Sequence, residues 1–286
     1  VTAPTRVAAI DFGASNTDVV VQEGNAQGTA TQHWRLPSEG QPSDARVHAV
    51  LAQGGVAVRD LAWIAVTGGN RSALSATLVD GASTVPLHRV DEVQAIGRGG
   101  LALSGLARAL VTSAGSGTAV VAATAEGARH VSGTGVGGGT LVGLSRLLID
   151  VVDPQAIDAL AQQGRDTVHN LTIGEILGTA IGSLPPDTTA VNFGRAARHA
   201  VDASPADTAA ALVNMVGQVI GVVAVNAARA QQMEQAVIVG HLTDLPSIRR
   251  TLETVAQFYH AQIVIPEEGG RATALGALLE TRARLG

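Results

Sequence analysis

The chain has 286 residues, of which 46% are hydrophobic, 15% charged and 2% aromatic, with a formal net charge of −5. All 19 basic residues are arginine and cysteine is absent, which excludes P-loop, Schiff-base and kinase-strand lysines as well as disulfides, thiolate zinc sites and cysteine nucleophiles. The acidic balance and scarce aromatics argue against a nucleic-acid partner, and the length suits two lobes of about 150 residues each.

In chain order, VAAIDF (Val7 to Phe12) is a short apolar strand that ends in a glycine-bearing turn. Asp18 to Gln22 returns as the second arm of a hairpin, and Thr29 to Leu36 supplies a third strand. Spaced Ala, Val and Leu predict a helix over Ser43 to Gln53, followed by strand Leu61 to Val66, a turn at TGGN (Thr67 to Asn70) and strand Val85 to Val90. Glu92 to Leu110 reads as a helix despite its glycines. A second cycle starts with strand Thr118 to Thr124, turns at Glu126 and Gly127 and returns through Arg129 to Ser132. The glycine cluster Gly133 to Gly139 then opens a helix through Leu148, and Pro185–Pro186 marks a loop. A long helix from Asp207 to Gln231, strand Ala236 to Gly240, helix Leu245 to Tyr259, strand Gln262 to Ile265 and helix Arg271 to Arg284 complete the chain. Hairpin, third strand and further βα units thus occur twice, which predicts two α/β lobes, 1–112 and 113–286, with a cleft between them.

The most apolar stretch, Ala209 to Ala230, carries Asn214, Gln218 and Asn226 and has no basic flank; it reads as a buried helix rather than a membrane span. Val1 to Arg6 lacks a basic region leading into an apolar one, so no secretory signal is expected and a soluble, cytoplasmic protein is.

Three small-residue turns carry the candidate chemistry. In DFGASNT (Asp11 to Thr17) a strand-end carboxylate precedes a turn, which suits Mg²⁺ and phosphate or an ordinary hairpin in which Asp11 satisfies turn amides. GSGT (Gly115 to Thr118) precedes the second hairpin, and GTGVGGG (Gly133 to Gly139) enters a helix, where backbone approaches an anion closely and the helix N-terminus adds positive potential. Gly133, Gly135 and Gly138 also satisfy G-x-G-x-x-G, but the preceding strand is short and charged and no acidic strand end follows about 20 residues on, so a dinucleotide redox enzyme is the weakest reading. Glu92 follows a strand at a helix start; it suits a base that takes a proton from an attacking hydroxyl, or simply a favourable helix N-terminus. His33, His88, His169 and His241 show no metal-ligand spacing and read as surface or packing residues. His130, two residues before the Ser132–Gly133 loop, suits a hydrogen bond to an acceptor or a partly buried strand position.

GSGTAVVAATAEGARHVSGTGVGGGTLVGLSRLL (Gly115 to Leu148), DALAQQGRDTVHNLTIGEIL (Asp158 to Leu177), VNFGRAA (Val191 to Ala197), VTGGN (Val66 to Asn70) and EEGGRATALGALL (Glu267 to Leu279) together resemble the type II pantothenate kinases, a branch of the actin-like superfamily of sugar kinases, Hsp70 and actin. The resemblance covers nearly the whole chain. It implies a two-lobed actin-like (ribonuclease H-like) α/β fold with ATP and Mg²⁺ in the cleft, and a homodimer formed through the long helix. Asp11 would lie near the metal and Glu92 would be the catalytic base. Gly13, Ser15, Asn16 and Thr17 would form the first phosphate turn, and Gly117 and Thr118 the second, with Gly135, Gly137, Gly138, Gly139 and Gly240 also at the nucleotide. Ser116, Ala119, Arg129 and His130 would face a small-molecule hydroxyl acceptor.

The chain departs from the family pattern at three places. The first motif, D-x-G-G-[TS]-x-x-K in the family, has Gly13–Ala14 and ends in Asp18, an anion where a cation belongs. The arginine before V-[GT]-G is His130 here, and Arg129, one residue off, should point to the other face of its strand. The serine closing the second turn is Ala119. The sequence therefore predicts an ATP-dependent kinase acting on pantothenate or a different hydroxylated acceptor; the alternative is a nucleotide-binding regulatory homologue that has lost turnover.

Overall fold

A computed structural model describes residues 5–25, 28–179 and 185–286. The first four residues of the expected leaderless start lie outside them. β1 (Thr5–Phe12), β2 (Asn16–Asn25) and β3 (Gly28–Pro37) form an antiparallel meander; α1 (Asp44–Gln53), β4 (Ile64–Gly68), β5 (Thr77–Asp80) and β6 (Ser83–Arg89) complete the first lobe. α2 (Glu92–Ser104) leads to the second meander, β7 (Ala109–Ala114), β8 (Thr118–Thr124) and β9 (Gly127–Thr134). α3 (Gly138–Ile149), α4 (Pro154–Ala161), the two-stranded ribbon β10 (Leu171–Thr172) and β11 (Thr189–Val191), and the short α5 (Ile173–Leu177) follow. α6 (Pro205–Ala230), β12 (Gln235–Val239), α7 (Pro246–Tyr259), β13 (Gln262–Val264) and α8 (Ala272–Leu285) close the chain.

The two main sheets have orders β3-β2-β1-β4-β6-β5 and β13-β12-β7-β8-β9. In each, the first strand of the meander pairs in parallel with a strand that arrives after a helix, β1 with β4 and β7 with β12. The repetition expected from element order is thus a repetition of topology. The predicted helix over Glu92 to Leu110 is the one large departure. It ends at Ser104 because Gly105 adopts φ 71 and its N–H caps Leu101. Leu110 and Val111 belong instead to β7, the central strand of the second sheet, which the sequence reading had missed. The expected boundary at 112/113 falls inside that strand. β5, also missed, is a short arm joined to β6 by a turn at Gly81, φ 63.

Alternation along the strands divides the core. Ile10, Val19, Val21 and Val66 face α1 through Val47, Val50 and Leu51, whereas Val7, Ala9, Val20 and Ala65 face Ala274, Ala277 and Leu278 of α8. In the second lobe, Val111, Val121 and Ala123 meet Ile96 and Leu101 of α2, while the other face packs on Leu212, Val216 and Ile220 of α6. Each sheet is therefore covered by the helix that follows the other sheet. The two helices cross between the lobes, and small residues permit a close approach: a Cβ on Gly276 would lie 1.8 Å from the Ala95 carbonyl oxygen, and one on Gly99 would lie 1.8 Å from that of Ala272. α6 is long and apolar enough to cross a membrane, with a mean hydropathy of 1.9, but 13 of its residues are buried in the second lobe, as the sequence predicted.

Candidate functional site

Asp11 is the last-but-one residue of β1 and pairs with Asp18 on β2 and Thr67 on β4. It shares the strand face of Ala9, but at the strand end, where α8 no longer covers the sheet and the face opens to the cleft. Asp11 Oδ1 and Thr67 Oγ1, on adjacent strands, are both buried without a hydrogen-bond partner. Burial, with the nearby charges of Asp18 and Glu92, pushes the Asp11 pKa up to about 8, partly offset by His241. Unpaired hard oxygens of this kind suit a cation such as Mg²⁺, whose charge would restore the ionised carboxylate.

Asp18, the anion in place of the family lysine, neither turns away nor stands alone. Its carboxylate accepts from His33 Nε2 at 3.1 Å and from His241 Nε2 at 2.7 Å. Burial pushes its pKa up, but the hydrogen bonds and charges of His241 and His33 outweigh that and hold it below the usual range. His241 Nδ1 lies 3.2 Å from Asp244 Oδ2 and 3.0 Å from Arg35 Nη1. Burial and the Arg35 charge oppose protonation of His241, yet the two carboxylates win and its pKa rises to about 9. A doubly protonated ring donates to both carboxylates, so the Arg35 contact is an approach of like charges. The Asp18 carboxylate is neutralised by an imidazolium from the other lobe. His33 and His241, read from sequence as surface or packing residues, are thus half of a clasp between lobes. His241 is 223 residues from Asp18, and no local spacing reveals it.

The clasp has a pH signature. A folded pKa of about 9 against 6.5 means that the His241 contribution is complete below pH 6.5 and is lost as pH rises through 9. Asp11, raised to about 8, adds a decline of the same sign that is over by about pH 8. The melting temperature of the ligand-free protein should therefore keep falling from pH 8 to about pH 10, and His241→Gln should flatten that last limb. An unchanged slope in the variant refutes the clasp.

The glycine turns are welded to one another. Gly115 N donates to Gly117 O at 3.0 Å, Gly138 N to Gly115 O at 2.8 Å and Gly139 N to Ser116 O at 2.8 Å. A Cβ on Gly137 would sit 2.7 Å from the Ser116 oxygen, so glycine is needed for this backbone-to-backbone contact. The amides of Gly138 and Gly139, at the α3 N-terminus, are spent on the second turn, so that end meets the cleft with backbone and helix potential rather than with these two donors. What these residues present to the cleft is flat backbone. Gly135 is exposed, with no atom near a notional Cβ. Ser15 Oγ meets Ser116 Oγ at 2.7 Å, which joins the first and second turns across the lobes, and Thr118 Oγ1 donates to Val136 O at 2.8 Å. Gly240, φ 101, passes so close to Ala114 that a Cβ would lie 2.5 Å from its oxygen.

Glu92 is the first residue of α2, but it is not the cap. The Asp91 carboxylate accepts from Val93 N at 3.0 Å and Gln94 N at 3.4 Å. Asp91 starts the helix, and Glu92 is left free to line the cleft.

Three cavities run in series. The widest, about 770 Å³, is walled by Val142, Val152, Leu242, Leu245 and the glycines of α3, with Arg35 and Arg146 at its sides. It shares Ser15, Asn16, Gly115, Ser116 and His241 with a central polar cavity of about 380 Å³ that holds Asp11, Asp18, Gly117, Thr118 and Ala119. That cavity in turn shares Gly13, Ala14 and Glu92 with a third, of about 450 Å³, in the first lobe, which Thr17 also lines. Arg129 and His130 line none of the three. Arg129 pairs with Ala122 on the α6 face of the sheet and donates to Gln231, as the one-residue shift predicted. His130 pairs with Val121 on the α2 face, beyond a bulge, and leans over Gly133.

Comparison with known proteins places this geometry. Residues 108–280, from β7 into α8, match the family model described as Fumble. The chain is 33% identical over 172 residues to a type II pantothenate kinase of Staphylococcus haemolyticus and 28% identical over 171 residues to one of Bacillus cereus, in each case over 59% of this chain. These alignments span 64% and 63% of the two relatives. A type II pantothenate kinase of Staphylococcus aureus aligns over 75% of this chain and 81% of its own length at 28% identity. Among solved structures, the activator of the 2-hydroxyisocaproyl-CoA dehydratase from Clostridium difficile with bound ADPNP superposes with a TM-score of 0.62 and 15% identity, covering 98% of this chain and 95% of that one. Component A of the Acidaminococcus fermentans (R)-2-hydroxyglutaryl-CoA dehydratase gives 0.61 and 15%, covering 98% and 99%. The fold is the expected two-sheet, actin-like one, and the chain belongs to the Fumble family.

Proposed function

We propose that the protein is an ATP-dependent kinase that phosphorylates a hydroxyl of a small molecule. The observation that carries this reading is the series of three cavities with Glu92 at the junction of the second and third. The wide apolar cavity suits a nucleoside, the glycine-lined central one its phosphates, and the third an acceptor. An acceptor hydroxyl beside Glu92 loses its proton to the carboxylate as its oxygen attacks the γ-phosphorus, and ADP departs from the opposite side. Ser15, Ser116 and the backbone of the two welded turns orient the phosphates. Asp11 would hold Mg²⁺ brought by ATP, which neutralises phosphate charge when bound. Similarity to type II pantothenate kinases and an ADPNP-bound fold relative support the same assignment.

The test is titration calorimetry with Mg·ATP, followed by ³¹P NMR of Mg·ATP incubated with hydroxyl acceptors, pantothenate among them. Saturable nucleotide binding with a new phosphomonoester signal and stoichiometric ADP is expected. Binding without transfer would make the protein a regulatory homologue, and no binding would end the nucleotide reading altogether.

A further inference from the structure

The third cavity has a composition that selects its occupant. We infer that it is the acceptor subsite and that it takes a hydroxylated molecule without an anionic group; this rests on the kinase reading above. The cavity lies in the first lobe, between the β1–β2 turn, the loop from β3 to α1 and the loop after β4, and it meets the phosphate cavity only through Gly13, Ala14 and Glu92. A hydroxyl reaching Glu92 from this side arrives at the boundary with the phosphate cavity, and about 450 Å³ is ample for a small metabolite.

Charge decides the class. The cavity's ionic side chains are Glu39, Glu92 and Arg46, one cation against two anions. Arg46 is already committed, with Nη1 donating to Glu39 Oε2 at 3.1 Å and Nη2 to Pro37 O at 3.2 Å. A carboxylate entering here would displace Glu39 and still meet Glu92, a net repulsion in a partly desolvated site. The second-lobe guanidinium placed by sequence to meet an acceptor, Arg129, is turned to Gln231 on the far face of its sheet.

The neutral groups are arranged to read hydroxyls. Asn70 Nδ2 donates to Gln41 Oε1 at 2.5 Å, which ties the two loops together. That bond leaves the Asn70 carbonyl oxygen as an acceptor and the Gln41 amide as a donor, on two residues that both line the cavity. A hydroxyl, which both donates and accepts, satisfies such a pair, whereas a carboxylate only accepts. Asn70 holds φ 53, a left-handed conformation that asparagine tolerates and most residues do not.

Pantothenate and pantothenol make a matched probe, because they differ only in a carboxylate against a primary alcohol. Initial rates of ADP release are measured for each, with glycerol against glycerate as a second pair. The uncharged member of each pair is expected to have at least about a tenfold higher kcat/KM. Asn70→Gly, which removes the amide without straining the left-handed backbone, and Gln41→Ala should each raise the acceptor KM about tenfold with the KM for ATP unchanged. Preference for the carboxylated members overturns the inference, as does a silent Asn70→Gly beside an Arg129→Ala that raises the acceptor KM. Mg·ATP binding with none of the four probes phosphorylated refutes this subsite while sparing the nucleotide assignment; failure to bind Mg·ATP refutes both.

Discussion

Glu92→Gln is expected to lower kcat for phosphoryl transfer by about 10²- to 10⁴-fold, the range for removing a positioned general base, while the protein stays folded and keeps its nucleotide. The separation is unusually clean here because helix initiation rests on the neighbour: Asp91, not Glu92, accepts from the exposed amides of Val93 and Gln94. Glutamine preserves shape and can still hydrogen-bond a hydroxyl, but it cannot take the proton. The charge change also has a sign elsewhere. Glu92 is one of the groups that push the Asp11 pKa up to about 8, so its neutralisation should ease ionisation of Asp11. The KM for Mg·ATP should therefore stay level or fall while kcat collapses, a split that general damage to the cleft would not give. Asp91→Ala supplies the contrast: about 1 kcal/mol of stability lost with the cap, measured by urea unfolding, and a smaller effect on kcat than Glu92→Gln. A Glu92→Gln enzyme within a few-fold of the parent removes the base from the mechanism.

What the sequence made legible was whatever rests on local period and turn chemistry. The paired hairpins, the glycine run ahead of α3 and the helix start at Glu92 were readable because each is fixed within a few residues. β7 was not, because ALV after a glycine-rich helix has the same apolar character whether the helix continues or a strand begins. Its antiparallel pairing with β8 across the Gly115–Gly117 turn and its parallel pairing with β12, more than a hundred residues later, settle it. The clasp was hidden for the same reason. Asp18 stood out as an anomaly against the family pattern, but its partners come from β3 and from the turn after Gly240. The spent amides of Gly138 and Gly139 were also out of reach, since a glycine-rich helix start looks alike whether it awaits an anion or already meets a carbonyl. Long-range contacts decide the charge and donor inventory of the cleft, and that inventory distinguishes one acceptor from another.

Gly276→Ala, like Gly99→Ala at the same crossing, is expected to be among the most damaging single-methyl changes in the protein. The added carbon would lie 1.8 Å from the Ala95 oxygen and 2.6 Å from the Gly99 nitrogen, both backbone atoms of α2. Backbone cannot rotate aside as a side chain does, so the helices must part by about an ångström or more before the contact becomes tolerable. Alanine's better helix propensity offers about 1 kcal/mol in return, whereas forced overpacking typically costs 1–3 kcal/mol, and a helix pair without slack belongs at or above the top of that range. A net loss of about 2 kcal/mol corresponds to roughly 4–8 °C in melting temperature for a chain of this size. The same substitution at Gly143, an exposed helical position with nothing within 4 Å of the new carbon, should leave the melting temperature level or raise it. The consequence extends to the site, because the crossing sets the separation of its halves. α2 carries Glu92 at its start, and Gly270, just ahead of α8, and Thr273, in its first turn, line the phosphate cavity. A parting at Gly276 moves the base relative to the phosphates, so Gly276→Ala should lose kcat at temperatures well below its unfolding transition. A variant that melts within about 2 °C of the parent and keeps its kcat would mean that the lobes are not held at a fixed distance by this crossing.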